Sequence, residues 1–286
     1  MARFVDANGL TFAYESHGDD GPLALLLHGF PDTAATWRHL APRLATAGFR
    51  VVVPWMRGYA PTQVPADGQY SRTTLAHDAN ALHAALGGGE DAVLVGHDWG
   101  AVAAYEAASI APERWRRVVT LAVPPTGALL ERSLLARQLR RSWYMFAAQF
   151  PVERLGHDRV MARVLRLWQD WSPGYTMTVE DRDALLASLR APEALSAALG
   201  YYRAQRAGAS NPRAALAAAP VPPRPTLYLH GRDDGCMGAG YAEPSRALLK
   251  AADPASRVDV LDGVGHFLHL EDPDRVGAMI EAWVTS

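Results

Sequence analysis

Cysteine is nearly absent: Cys236 stands alone in 286 residues. An intramolecular disulfide is therefore impossible, and the usual signatures of a Cys-ligated structural metal or an oxidising compartment are missing. Lysine is equally scarce, with Lys250 alone among 28 basic residues, a bias that carries no functional conclusion. Excess charge of one sign is lacking too. A formal net charge of −2 leaves no broad electrostatic footprint for nucleic acid or an acidic membrane. No segment approaches the roughly 18 uninterrupted apolar residues of a spanning helix, and Met1 to Leu10 lacks the charged-then-apolar order of a secretory signal. The expectation is a soluble, cytoplasmic protein that binds neither nucleic acid nor membrane. What is present is 49% hydrophobic residues with eight Trp and ten Tyr, the composition of a packed globular chain. The length fits one large domain, or a core carrying a smaller one.

The chain opens on two short alternating segments, Phe4 to Asp6 and Leu10 to Tyr14, turning at Asn8-Gly9, a favoured hairpin dipeptide. Short, nearly continuous apolar runs follow at Leu23 to Leu27, Arg50 to Val53, Ala92 to Val95, Val118 to Leu121, Thr226 to Leu229 and Val258 to Leu261. Such runs suit strands buried on both faces of a parallel sheet. Helical stretches lie between them: Ala34 to Ala47, Thr73 to Leu86, Ala101 to Ser109, Glu243 to Ala252 and Pro273 to Trp283. The alternation predicts an α/β fold with helices on both faces of a mostly parallel sheet. It stops after Leu121. Residues 125–225 show helical spacing and end in a proline-dense stretch, Pro220 to Pro225, so we read a core of 1–124 and 226–286 with a helical insertion at 125–225.

The sharpest motif is Gly96-His97-Asp98-Trp99-Gly100, at the end of a predicted strand and the start of a predicted helix. Its shape is that of the nucleophile elbow, in which small flanking residues allow a strained turn that exposes the central side chain. Here that side chain is a carboxylate, able to attack carbon and form an ester. An isolated Asp at a helix start would ordinarily be read as a cap; the paired glycines favour the elbow. His28-Gly29-Phe30-Pro31 follows the first buried strand and would supply the Phe30 N–H to an oxyanion hole, with the Trp99 N–H as the second donor. An acid and a histidine must come later in the chain. Gly231-Arg232-Asp233-Asp234 follows one late strand and Gly265-His266 the other. Asp234 is preferred to Asp233 for its spacing from Gly231, and His266 to His269 for its glycine context. His77, His97 and His269 are assigned to packing or the surface.

The ordered set His28 to Pro31, Gly96 to Gly100, Gly231 to Asp234 and Gly265-His266 resembles the α/β-hydrolase superfamily over nearly the whole chain. Within it, the Asp at the elbow resembles the epoxide hydrolase and haloalkane dehalogenase branch. The resemblance implies an α/β-hydrolase core with a helical cap, and an alkyl ester on Asp98 hydrolysed by water that His266 deprotonates while Asp234 orients the imidazole. No metal or organic cofactor is required.

Two leaving groups remain open. A halide calls for N–H donors, whereas epoxide opening creates an alkoxide that needs an acidic hydroxyl. Epoxide hydrolases of this branch donate protons from two cap tyrosines. Trp143-Tyr144, seven residues before Pro151, resembles the first motif, and Tyr201-Tyr202-Arg203 the second, with Tyr202 favoured. Phe30 lacks the side-chain donor that dehalogenases often carry there. The expectation is an epoxide hydrolase acting on a small apolar epoxide, in a pocket that includes His28, Pro31, Trp99, Trp143 and Phe267. A haloalkane or haloacid dehalogenase is the alternative, followed by a non-catalytic small-molecule receptor. Two departures from the family pattern stand out: Trp55 replaces an acidic residue, and Gln149-Phe150 inverts the usual order. No pattern distinguishes monomer from homodimer.

Overall fold

The computed structural model describes residues 2–205 and 219–286. Strands β1 (Arg3–Ala7) and β2 (Leu10–His17) form an antiparallel hairpin whose register closes on Ala7 opposite Leu10. Asn8 and Gly9 both take positive φ, 46° and 76°, which suits a two-residue turn matching the strand twist. The sheet continues through β3 (Leu23–Leu27), β4 (Arg50–Pro54), β5 (Val93–His97), β6 (Arg117–Leu121), β7 (Thr226–Gly231) and β8 (Arg257–Leu261). Its spatial order is β1-β2-β4-β3-β5-β6-β7-β8. The hairpin joins β4 antiparallel, and the remaining pairings are parallel.

Alternation along the central strands divides the core in two. Leu25, Leu27 and Leu94 face one side, against α2 (Arg72–Ala85) and α3 (Trp99–Ile110). Ala24, Leu26, Val93 and Val95 face the other, against α1 (Leu40–Thr46) and the last helix, Pro273–Thr285. Each buried Leu or Val contributes about 1.5–3 kcal/mol over an exposed one, which is why these strands tolerate almost no polar residue.

Between β6 and β7 the described residues form α4 (Arg132–Arg141), α5 (Trp143–Ala147), α6 (His157–Trp171), α7 (Val179–Leu189) and α8 (Pro192–Ala204), with one 3₁₀ turn, Thr126–Leu130, before α4 and another, Val152–Leu155, between α5 and α6. No strand occurs there among the described residues; 206–218 of the expected helical insertion lie outside them. Helices α9 (Ala242–Ala252), α10 (Leu268–Glu271) and α11 (Pro273–Thr285) complete the chain.

One predicted element is corrected. Ala34 to Ala47 is a 3₁₀ turn, Ala34–Trp37, followed by the separate α1. Pro42 accounts for the break: a continuous helix would set its ring against the carbonyl one turn earlier, whereas restarting at Leu40 places it in a first turn, where no N–H is needed. Among the described residues no helix is long and apolar enough to cross a membrane.

Candidate active site

Asp98 sits between β5 and α3 at φ 52°, ψ −115°. A non-glycine residue held there stores about 1–3 kcal/mol of backbone strain, so the surroundings must enforce it. They do so by close approach: a Cβ at Gly96 would run into the Gly100 carbonyl, and one at Gly100 into the Leu27 carbonyl. The side chain does not cap α3. Instead Asp98 Oδ1 accepts the Phe30 N–H at 2.8 Å, from the loop after β3. Trp99, the other expected oxyanion donor, is the first residue of α3.

The loops after β7 and β8 bring Asp234 and His266 together. Asp234 is fully buried and Oδ1 accepts the N–H groups of Cys236 and Met237 at 2.6 and 2.8 Å. Its Oδ2 accepts from His266 Nδ1 at 2.9 Å, whereas Asp233 is exposed. With Nδ1 thus engaged, His266 Nε2 points at Asp98 Oδ2, 3.6 Å away. Burial alone would lower the pKa of this imidazole, but the carboxylates of Asp234 and Asp98 outweigh it and hold the pKa up at about 10. Near neutrality His266 is therefore an imidazolium between two carboxylates.

Tyr144 on α5 and Tyr202 on α8 meet edge to face at 5.6 Å between ring centroids. Tyr202 also packs on Phe30 and Trp99, at 5.3 and 5.2 Å. Tyr144 lies 4.9 Å from Trp171, whose ring is in turn 4.9 Å from His266. The Tyr144 hydroxyl meets Cys236 Sγ at 3.2 Å, and that of Tyr202 has no hydrogen-bond partner among the described residues. Burial raises both phenols well above 10, and the nearby Asp98 charge adds to the rise, so both keep their protons. Tyr201 differs in giving its hydroxyl to the Arg57 carbonyl at 2.8 Å.

Two polar latches, neither read from the sequence, fix these tyrosines. Gln149 Nε2 donates to the Tyr202 carbonyl at 2.9 Å, and Arg203 Nε donates to the Ala148 carbonyl at 2.9 Å. The Gln149 that departs from the family order thus ties the end of α5 to α8.

A cavity of about 780 Å³ has Phe30, Tyr144 and Tyr202 in its lining. Val160, Val164 and Leu167, one stripe of α6, add an apolar wall. Their helical spacing was the signal that could have named them. Of the five residues expected in the pocket only Trp143 lines this cavity, half exposed. The others are buried outside its lining. His28 Nε2 accepts the Met56 N–H at 3.0 Å, Pro31 offers its carbonyl to Trp168 Nε1 at 2.6 Å, Phe267 stacks on Trp168 at 3.9 Å, and Trp99 packs on the tyrosines. His97 and His269 are buried; His97 Nε2 donates to the His266 carbonyl at 3.0 Å and His269 Nε2 meets Thr36 Oγ1 at 2.5 Å. Trp55 is half buried in core contacts, and nothing in the structure explains why it replaces an acid.

The chain resembles proteins of known name over nearly its full length. It is 31% identical to Epoxide hydrolase A of Mycobacterium tuberculosis, across 99% of this chain and 97% of that one. Identity to Epoxide hydrolase 4 of Mus musculus is 30%, across 98% and 78%. Among solved structures, an epoxide hydrolase of Vigna radiata aligns with a TM-score of 0.82 at 26% identity, covering 100% of this chain and 98% of that one. Epoxide Hydrolase A of Mycobacterium thermoresistibile aligns at 0.80 and 27%, with the same coverage. A family described as the alpha/beta hydrolase fold matches residues 22–273, and the chain belongs to that family.

Proposed function

We propose that this chain hydrolyses an apolar epoxide to a vicinal diol, with Asp98 as nucleophile, His266 as base, Asp234 as its orienting acid and the α4–α8 insertion as the cap. The observation that carries this reading is the pair of protonated, buried tyrosines in the cavity wall, close enough to Asp98 to feel its charge. They answer the need of an opening epoxide, a proton for the alkoxide.

The charges balance through the cycle. Asp98 attacks a ring carbon, the C–O bond breaks, and Tyr144 or Tyr202 gives the alkoxide its proton. Asp98 is now a neutral ester, so His266 loses one of the two charges holding its proton. That proton restores the tyrosine hydroxyl. The neutral imidazole then takes a proton from water, and the hydroxide attacks the ester carbonyl. The resulting oxyanion accepts from the N–H groups of Phe30 and Trp99. On collapse the intermediate's hydroxyl proton passes to the departing diol oxygen, which regenerates the Asp98 carboxylate and the imidazolium.

Single turnover of an aryl epoxide in ¹⁸O-water tests this order of bonds. The label should enter the Asp98 carboxylate and be absent from the first diol released. Label in that diol would mean direct attack of water, and halide release from haloalkanes without epoxide turnover would make the chain a dehalogenase.

A further inference from the structure

Cys236 has no part in the proposed chemistry, yet it is buried against it. Its thiol, an Asp98 carboxylate oxygen and a His266 ring nitrogen all lie within 4.8 Å of one another. His266 Nε2 is fully buried, has no hydrogen-bond partner among the described residues, and faces Asp98 at 3.6 Å. Tetrahedral zinc, with bonds near 2.0–2.1 Å to nitrogen and oxygen, sets such donors roughly 3.4 Å apart. The nitrogen and oxygen therefore stand at nearly the spacing a cation would impose. One thiolate, one carboxylate and one imidazole form a mixed soft and hard donor set that favours zinc-like cations over magnesium or calcium. As thiolate and carboxylate, the two anionic ligands neutralise a divalent ion.

The geometry points to an inhibitory site for a thiophilic divalent cation, such as Zn²⁺ or Cd²⁺, bridging Asp98, Cys236 and His266. Binding replaces two protons, those of the Cys236 thiol and of the His266 imidazolium Nε2, by metal–sulfur and metal–nitrogen bonds; both protons leave to solvent and no oxidation state changes. The ion engages the side chains proposed as nucleophile and base, so hydrolysis stops while it is bound. It also displaces Tyr144 from its contact with the thiol. Asp234, behind His266, keeps Nε2 aimed at the ion through its bond to Nδ1.

The site can be read without turnover, so its failure is distinguishable from failure of the epoxide reading on which the inhibitory consequence rests. CdCl₂ is titrated into the intact protein while the ultraviolet thiolate-to-cadmium charge-transfer band is followed. A saturable band at about one equivalent is expected, with loss of epoxide hydrolysis over the same range. Cys236→Ser should remove the band and raise the cadmium needed for inhibition at least tenfold. His266→Gln and Asp98→Asn should each keep the thiol but weaken cadmium binding at least tenfold. Melting curves of each variant in EDTA identify any that fails to fold. For such a position, the tetrahedral visible spectrum of Co²⁺ on the wild-type protein reads the donor set instead. An unchanged affinity in both His266→Gln and Asp98→Asn would reduce the site to an isolated thiol and overturn the inference. So would inhibition equally strong in Cys236→Ser, no band, or an octahedral cobalt spectrum.

Discussion

His266 is held in its charged form by two carboxylates, and only one of them changes during the proposed cycle. Its pKa of about 10 belongs to the resting protein. In Asp98→Asn, which carries no charge at that position, the His266 ring resonances should titrate at least one unit lower by NMR; an unmoved pKa would show that Asp98 does not control the base. The hydrolytic half-reaction requires neutral His266, so its rate should rise with pH to a plateau, with the ester accumulating on the acid side. The tyrosines share one task, so each single Tyr→Phe variant should lower kcat about tenfold to a hundredfold and the double variant far more, as measured by diol formation. At this scale the sequence was informative wherever chemistry demands a residue type in a fixed order, as for Asp98 and His266. It separated Asp233 from Asp234 only by spacing; the hydrogen bond to Nδ1 separates them by geometry. Cys236 had no legible neighbour in the sequence, because the fold alone brings it beside Asp98.

The strands were legible because β3 and β5 must be apolar on both faces, and the hairpin because Asn8-Gly9 suits positive φ. Pro42 is equally visible in the sequence, and it splits the apolar stretch from Ala34 to Ala47 into a 3₁₀ turn and α1. Pairings between distant elements were not legible. Arg57, on the loop after β4, grips Asp78 of α2 through Nε at 2.5 Å and Nη2 at 2.6 Å, and Asn8 from the hairpin turn adds a third bond to the same carboxylate at 2.7 Å. Both partners are almost wholly buried. Arg57→Gln would strand that carboxylate, and denaturant unfolding should show a loss of about 3–5 kcal/mol. A loss below 1 kcal/mol would mean that water reaches Asp78. In the insertion, Gln149→Ala removes the bond to the Tyr202 carbonyl. It should lower kcat more than it changes the melting temperature, because the tie aligns α5 with α8 while carrying little of the packing.

Across the whole molecule, buried histidines outnumber the groups that oppose them on the acid side. Burial lowers His28 to about 4 and His269 to about 3, and moves His97 and His230 downward as well. Each stays neutral in the fold and takes a proton on unfolding, so its contribution is present above about pH 6.5 and is lost as pH falls. Burial pushes Asp32 up to about 8, which works in the opposite sense between about pH 4 and 8. The raised His266 contributes stability that is complete below about pH 6.5 and is lost as pH rises through 10. These four histidines, with His83 lowered as well, outnumber the three carboxylates that burial raises, Asp32, Asp78 and Glu271, and set the sign: the melting temperature should peak near pH 6.5 and fall by several degrees by pH 4.5. A melting temperature that rose on acidification would contradict the burial of these rings. The layered α/β architecture was readable as a whole from the strand and helix alternation. The cavity was not, since its walls come from the helices between β6 and β7 and from the loop after β3, segments whose approach no local pattern encodes.

The proposed hydrolysis passes through a covalent ester between Asp98 and the opened ring. The most direct measurement is the intact mass of His266→Gln after incubation with an aryl epoxide and, separately, with a primary haloalkane. A gain equal to the whole epoxide, mapped to the peptide bearing Asp98, is the predicted result. A gain seen only with the haloalkane, an adduct on another residue, or an unmodified protein under conditions where the wild type releases diol would contradict it.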